Sequence, residues 1–222
     1  EAAATADALN KLILASQELL CDHPINRKRI AAGKDPANSI WPWSPGYRPQ
    51  MKPLTALYPI SSGAVISAVD LIRGIGVYAG LEVIMVEGAT GLYDTNYEGK
   101  AQAALDALKE KDFVYLHVEA SDEAGHEGDV PLKVKTIEYL DARIVKTIYE
   151  ETFTWEVPVT ITILPDHPTP CAIRTHTRDA IPFLMWHKGI EPDSVQTYDE
   201  FAAREGSYGL LQDNQLMKTI FR

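Results

Sequence analysis

Asp112-Phe-Val-Tyr-Leu-His-Val-Glu-Ala-Ser-Asp-Glu-Ala-Gly-His126 is an apolar run that passes directly into a polar segment. The first seven residues have the length and β-branched or aromatic content of a buried strand. Those that follow place Asp122 and His126 four apart, so a single helical turn presents both on one face. The same sequence of events recurs downstream. Val157 to Leu164 is a second apolar run, Asp166-His167 comes just after it, and His176 follows within Arg174-Thr-His-Thr177. Half of the six histidines thus stand in short polar segments beside carboxylates.

The pattern on either side is that of an α/β protein. Residues 2–20 carry Leu9, Leu12, Ile13, Leu14, Leu19 and Leu20 at the spacing of an amphipathic helix, which Pro24 is expected to end. A long irregular segment follows, with Pro36, Pro42, Pro45, Pro49 and Pro53, and Trp41-Pro42-Trp43 is expected to anchor it to the core. Strands are predicted at Ala64–Ser67, Glu82–Val86, 112–118, Val157–Leu164 and Ile181–Trp186. Helices are predicted at 68–79, 97–110 and 130–149, with one or two short ones in the tail. Such alternation implies a mainly parallel sheet with helices on both faces. Both acid-histidine clusters then fall beyond the carboxyl ends of strands, where open α/β sheets bind ligands.

Composition narrows the function. A chain of 222 residues with 45% hydrophobic and 23% charged residues can bury a full core. No run approaches the ~18 apolar residues of a membrane span, and no signal-peptide pattern opens the chain. A net charge of −10 argues against general nucleic-acid binding. Cys21 and Cys171 stand in dissimilar settings, and two free thiols in a cytoplasmic protein is the expectation. Cys171 reads as a small buried residue rather than a ligand. The chain starts at Glu1 without Met, which predicts a processed or truncated product.

Asp122, His126, His176, Asp166 and His167 offer hard oxygen and imidazole donors, which suit Mn²⁺ or Zn²⁺ and not a structural thiolate site. Two divalent ions in such a site would clamp the attacking and leaving oxygens of a phosphoryl group. Five ligands are few for two ions, so others must come from elsewhere. Residues 24–52 hold Arg27, Lys28, Arg29, Lys34, Arg48 and Lys52 against one acid, Asp35, a basic stretch fit to cradle an anion. Gly74, Gly76 and Gly80 sketch a dinucleotide fingerprint but lie late in a helix at the wrong spacing, so helix packing accounts for them. No Gly-x-Ser-x-Gly turn exists, and neither Ser121 nor Ser207 stands in a comparable setting. No catalytic nucleophile is read from this chain.

At these residues the chain resembles the archaeal-type, cofactor-independent phosphoglycerate mutases of the alkaline phosphatase superfamily. The stretches that carry the resemblance are His23-Pro-Ile-Asn-Arg-Lys-Arg29, Gly33-Lys-Asp-Pro-Ala-Asn38, Ala64-Val-Ile-Ser67, Gly88-Ala-Thr-Gly91, Asp94-Thr-Asn-Tyr-Glu-Gly-Lys100, His117 through His126, Leu164 through Pro170, and Arg174-Thr-His-Thr177. It implies an alkaline phosphatase-like metal-binding domain over residues 23–222, with residues 1–22 as a helix returning from an inserted domain. It implies one metal on Asp122, His126 and His176. The second would sit on Asp166 and His167 together with an N-terminal Asp and a nucleophilic Ser. That Ser takes phosphate from the glycerate and returns it to the neighbouring hydroxyl, so 2,3-bisphosphoglycerate is not required. Neither the Asp nor the Ser has a counterpart among these motifs. A C-terminal portion lacking its N-terminal strands is therefore expected, inactive alone and prone to self-association through an exposed sheet edge. Arg27, Arg29, Arg174 and Lys100 are the residues expected to meet the oxyanions of a small phosphorylated substrate. Members of the group have also been labelled homoserine kinase or phosphonopyruvate decarboxylase. A related phosphotransferase, or a metal-binding module without chemistry, are the alternative readings.

Overall fold

The computed structural model describes residues 2–42 and 46–221; Trp43 and Pro45 lie outside the described residues. The chain divides into two compact units, Glu1–Gln50 and Met51–Arg222. The sequence reading sets its boundary after residue 22, and the difference has a local cause. Helix α1 (Ala2–Cys21) is followed at once by α2 (Pro24–Ala31). The buried Asn26 amide donates to the carbonyls of Leu20 (2.7 Å) and Ala37 (2.6 Å) and accepts from the Ala37 N–H (3.0 Å). Ser16 Oγ accepts from the Ile40 N–H at 3.0 Å. These bonds tie residues 24–40 to α1, so one compact unit continues past the first helix.

Pro24 therefore opens a helix besides closing one. It occupies the first turn of α2, where a missing N–H costs nothing, and His23 Nδ1 accepts from the Ile25 N–H at 3.3 Å. The irregular segment is shorter than the prolines suggest. Trp41 does not anchor it, since that side chain is 77% exposed.

In the second unit, β1 (Gly63–Ile66), β2 (Glu82–Ile84) and β3 (Phe113–Leu116) form a wholly parallel sheet in the order β2-β1-β3. Ile66 lies opposite Ile84 on one side and Leu116 on the other. All four residues of β1 are buried, as a central strand covered on both faces requires. Alternation of side chains explains the cover. Val65 faces α3 (Asp70–Tyr78), where a Cβ on Gly76 would lie 2.4 Å from the Val65 side chain. Leu116, a strand position out of phase with Val65's partner Tyr115, packs instead with Tyr97 and Ala101 of α4 (Tyr97–Leu108). Close packing accounts for Gly76 and a left-handed φ of 78° for Gly80, whereas Gly74 faces open space and packing does not require it.

Helix α5 (Ala120–Glu127) follows β3 closely and stops at Gly128, whose φ of 73° favours glycine. Asp129 then caps α6 (Val130–Tyr139) by accepting from the Leu132 N–H at 2.9 Å. A π-helical turn at Leu140–Val145 joins α6 to α7 (Lys146–Thr154). It turns Ile144 into the core beside Tyr97 and Ala120 and sets Arg143 over the Tyr97 ring, with its fork on the Glu98 carboxylate. Strands β4 (Thr160–Ile163) and β5 (Leu184–His187) form a separate antiparallel pair. No helix lies between them among the described residues, so the crossover that parallel pairing needs is missing. The tail ends in α8 (Gln215–Ile220). No described helix is long and apolar enough to cross a membrane.

Candidate metal centre

Three local structures bring the sequence-predicted ligands together. Helix α5 holds Asp122 and His126 one turn apart, with His126 Nε2 at 3.2 Å from Asp122 Oδ2. The chain leaving β4 supplies Asp166 and His167, whose Nε2 and Oδ2 atoms are 3.2 Å apart. The loop from Pro168 to Thr177 then closes on itself. The Ile173 and Arg174 N–H groups donate to the Pro170 carbonyl, and the Thr177 N–H donates to that of Pro168 at 3.1 Å. This returns His176 to its neighbour, with the His167 and His176 rings stacked at 3.6 Å between centroids. His176 Nε2 lies 3.1 Å from His126 Nε2 and 3.5 Å from Asp122 Oδ1. Donor atoms of Asp122, His167 and His176 all fall within 4.8 Å of one another.

Outer hydrogen bonds decide which ring nitrogens carry protons. His126 Nδ1 is 3.0 Å from the Arg174 carbonyl, which can only accept, so Nδ1 is an N–H, and in the neutral ring Nε2 carries the lone pair. Arg174 has a φ of 58°, a costly conformation for a side chain with a Cβ, held where its carbonyl serves His126. Thr169 gives its hydroxyl proton to Asp122 Oδ1, so its oxygen accepts from His167 Nδ1 at 3.2 Å. In the neutral ring His167 Nε2 carries the lone pair as well, and it faces the Asp166 carboxylate. With neutral rings, acceptors face carboxylate oxygens across 3.2 Å, an arrangement that a cation relieves and that resembles the outer-shell bonding of metal-ligating histidines. The donor set fits a divalent ion.

Beside this group lies one that the sequence reading did not single out. Ser67 at the end of β1 is 3.2 Å from His117 Nδ1, and His117 Nε2 is 3.3 Å from Glu119. Burial holds His117 below the usual imidazole range, opposed by the Asp166 charge. Burial also raises Glu119, and the charges of Asp122, Asp166 and Glu123 push the same way. Their common position at the carboxyl ends of β1 and β3 was the available signal.

The four basic candidates fare differently. Lys100 is fully buried; its Nζ donates to the Thr90 carbonyl at 3.2 Å, and burial pulls its pKa down to about 8 against the pull of Glu119. Arg174 is exposed beside Gly128, where a Cβ would meet its guanidinium. Arg27 and Arg29 belong to the first compact unit, Arg27 paired with Asp22 at 3.2 Å and Arg29 Nε donating to the Asp35 carbonyl at 2.7 Å. Cys171 is half-buried, with its sulfur 4.0 Å from the Ala124 carbonyl, and both cysteines are free.

The sequence profile of the Metalloenzyme superfamily matches residues 3–221. The chain is 53% identical over 212 residues to the 2,3-bisphosphoglycerate-independent phosphoglycerate mutase of Methanosarcina acetivorans, covering 95% of this chain and 53% of that protein. Identity to the same-named protein of Methanosarcina mazei is 51%, with 96% and 54% covered. The solved PH0037 protein of Pyrococcus horikoshii superposes with a TM-score of 0.74 at 34% identity, over 92% of this chain and 53% of its own. The chain spans about half the length of the curated relatives it matches.

Proposed function

The chain belongs to the Metalloenzyme superfamily, and from that premise we propose that it supplies the metal-binding half of a 2,3-bisphosphoglycerate-independent phosphoglycerate mutase. The whole protein would interconvert 3-phosphoglycerate and 2-phosphoglycerate. One observation carries the reading: with their Nδ1 atoms bonded outwards, His126 and His167 turn Nε2 to within 3.2 Å of carboxylate oxygens. The names of the Methanosarcina relatives support the choice of reaction.

In this reading Asp122, His126 and His176 hold one divalent ion, and Asp166 with His167 contributes to a second, Mn²⁺ or Zn²⁺ by donor type. Bound there, such ions neutralise phosphoryl oxygens and make a hydroxyl nucleophile more acidic. The residues of this chain fix the ligand geometry: the Arg174 carbonyl orients His126, and α5 keeps Asp122 in step with it. Arg174 and Lys100 are proposed contacts for substrate oxyanions, and Arg27 and Arg29 are proposed on sequence grounds alone. The serine that accepts the phosphoryl group and returns it to the adjacent hydroxyl would lie in the half of the relatives that this chain does not span. A cytoplasmic location and self-association through a sheet edge remain part of the same proposal.

The test is an assay of the intact protein that contains this chain. It should interconvert the two phosphoglycerates without added 2,3-bisphosphoglycerate, stop on chelation and restart with Mn²⁺. Phosphate release without isomerisation would instead favour a related phosphatase. Metal binding with neither activity would favour a module without chemistry.

A further inference from the structure

Thr169 lies between the two segments that carry the ligands, and it is 4% exposed. Its hydroxyl bonds to Asp122 on α5 and to His167 after β4. Its carbonyl accepts from Lys133 Nζ of α6 at 2.6 Å. The close approach depends on Gly125: a Cβ there would stand 2.4 Å from the Thr169 carbonyl oxygen and 3.0 Å from Lys133 Nζ. A residue without a side chain, a lysine and a threonine from three separate stretches therefore meet at one point behind the ligands.

We propose that Thr169 is a positioning residue that sets Asp122 and His167 in ligating orientation before any cation arrives. One hydroxyl serves both ligands with a fixed polarity: it donates to the carboxylate and accepts from the imidazole N–H, which leaves His167 Nε2 bare. A residue with the same shape and no hydroxyl would leave Asp122 with one hydrogen bond fewer and free His167 to adopt either tautomer. The Lys133 ammonium ties the Thr169 backbone to α6 as well. The proposal rests on the metal reading above, and its test keeps the two apart.

The experiment compares the wild-type chain with Thr169→Val, Thr169→Ser and Lys133→Met. In the metal-free protein, long-range proton–nitrogen NMR should show the His167 ring nitrogens shifted in Thr169→Val and unchanged in Thr169→Ser. Calorimetry with Mn²⁺ should show roughly a 10- to 100-fold loss of affinity in Thr169→Val, the range found for outer-shell partners. Thr169→Ser should retain wild-type affinity, and Lys133→Met should fall between. Wild-type spectra and affinity in Thr169→Val overturn the proposal. If the wild-type chain binds no Mn²⁺, the metal reading fails, and the metal-free spectra still decide the role of Thr169. Should Thr169→Val not fold, a Lys133→Met variant indistinguishable from wild type in both measurements overturns it.

Discussion

Two groups of histidines and carboxylates lie at the same edge of this sheet, and they are wired in opposite ways. Around His117 the bonding is closed. The Val69 N–H donates to Ser67 Oγ at 3.0 Å, and in the tautomer that satisfies every group the serine donates to His117 Nδ1 while the Nε2–H points at Glu119. Every donor there has an acceptor, and the buried Lys100 ammonium adds a positive charge that acts on both Glu119 and His117. Around Asp122 the bonding is open. The outer partners use up the Nδ1 protons of His126 and His167, so that the neutral rings turn lone pairs inward. Residue types alone do not mark a metal site; the direction in which the protons point separates one group from the other.

The comparison breaks most visibly at Asp122, which touches all three histidines of the open group. Asp122→Ala should reduce Mn²⁺ affinity well beyond the roughly 100-fold upper range of outer-shell changes. Calorimetry would read this as loss of measurable heat, and wild-type affinity in the variant would erase the distinction between the groups. The closed group can be probed through its built-in cation. Burial holds Lys100 at about 8, so between pH 8 and about 10.5 the unfolded chain binds more protons than the folded one. Wild-type stability should therefore rise with pH across that window. Lys100→Met should be the more stable chain below pH 8, by on the order of 3 kcal/mol, and lose that advantage towards pH 10.5. Denaturant midpoints at a series of pH values measure this, and a flat difference would refute it. The smallest effect is expected at His117 itself. His117→Phe leaves Ser67 and Glu119 without their partner and should cost about 1–3 kcal/mol of stability. Mn²⁺ affinity should stay near wild type, and a large fall in affinity would place His117 in the open group.

Much of this was legible from local spacing. The i, i+4 pair on α5 and the Asp-His after β4 announce themselves because each is made by a few consecutive residues. The alternation of apolar runs likewise predicted the parallel sheet. What spacing could not show is bonding between distant stretches. Ser67 meets His117 only because β1 pairs with β3, and Thr169 meets Asp122 only because the loop after β4 folds back. Pro24 does follow the end of α1, and the helix missed after it has a different origin: proline ends helices and also begins them, with the capping histidine at 23 as the clue. The exposure of Trp41 reflects a bias towards burying large aromatics that the chain does not follow there.

His126 and His176 are fifty residues apart along the backbone, yet their ring nitrogens meet. An ion gripping both in the folded chain, and not in the unfolded one, would act as a removable tie that stabilises the native state by mass action. Loading and stability would then be linked. A chelator added to the loaded protein would act on this region as a mild denaturant, before any reaction is considered.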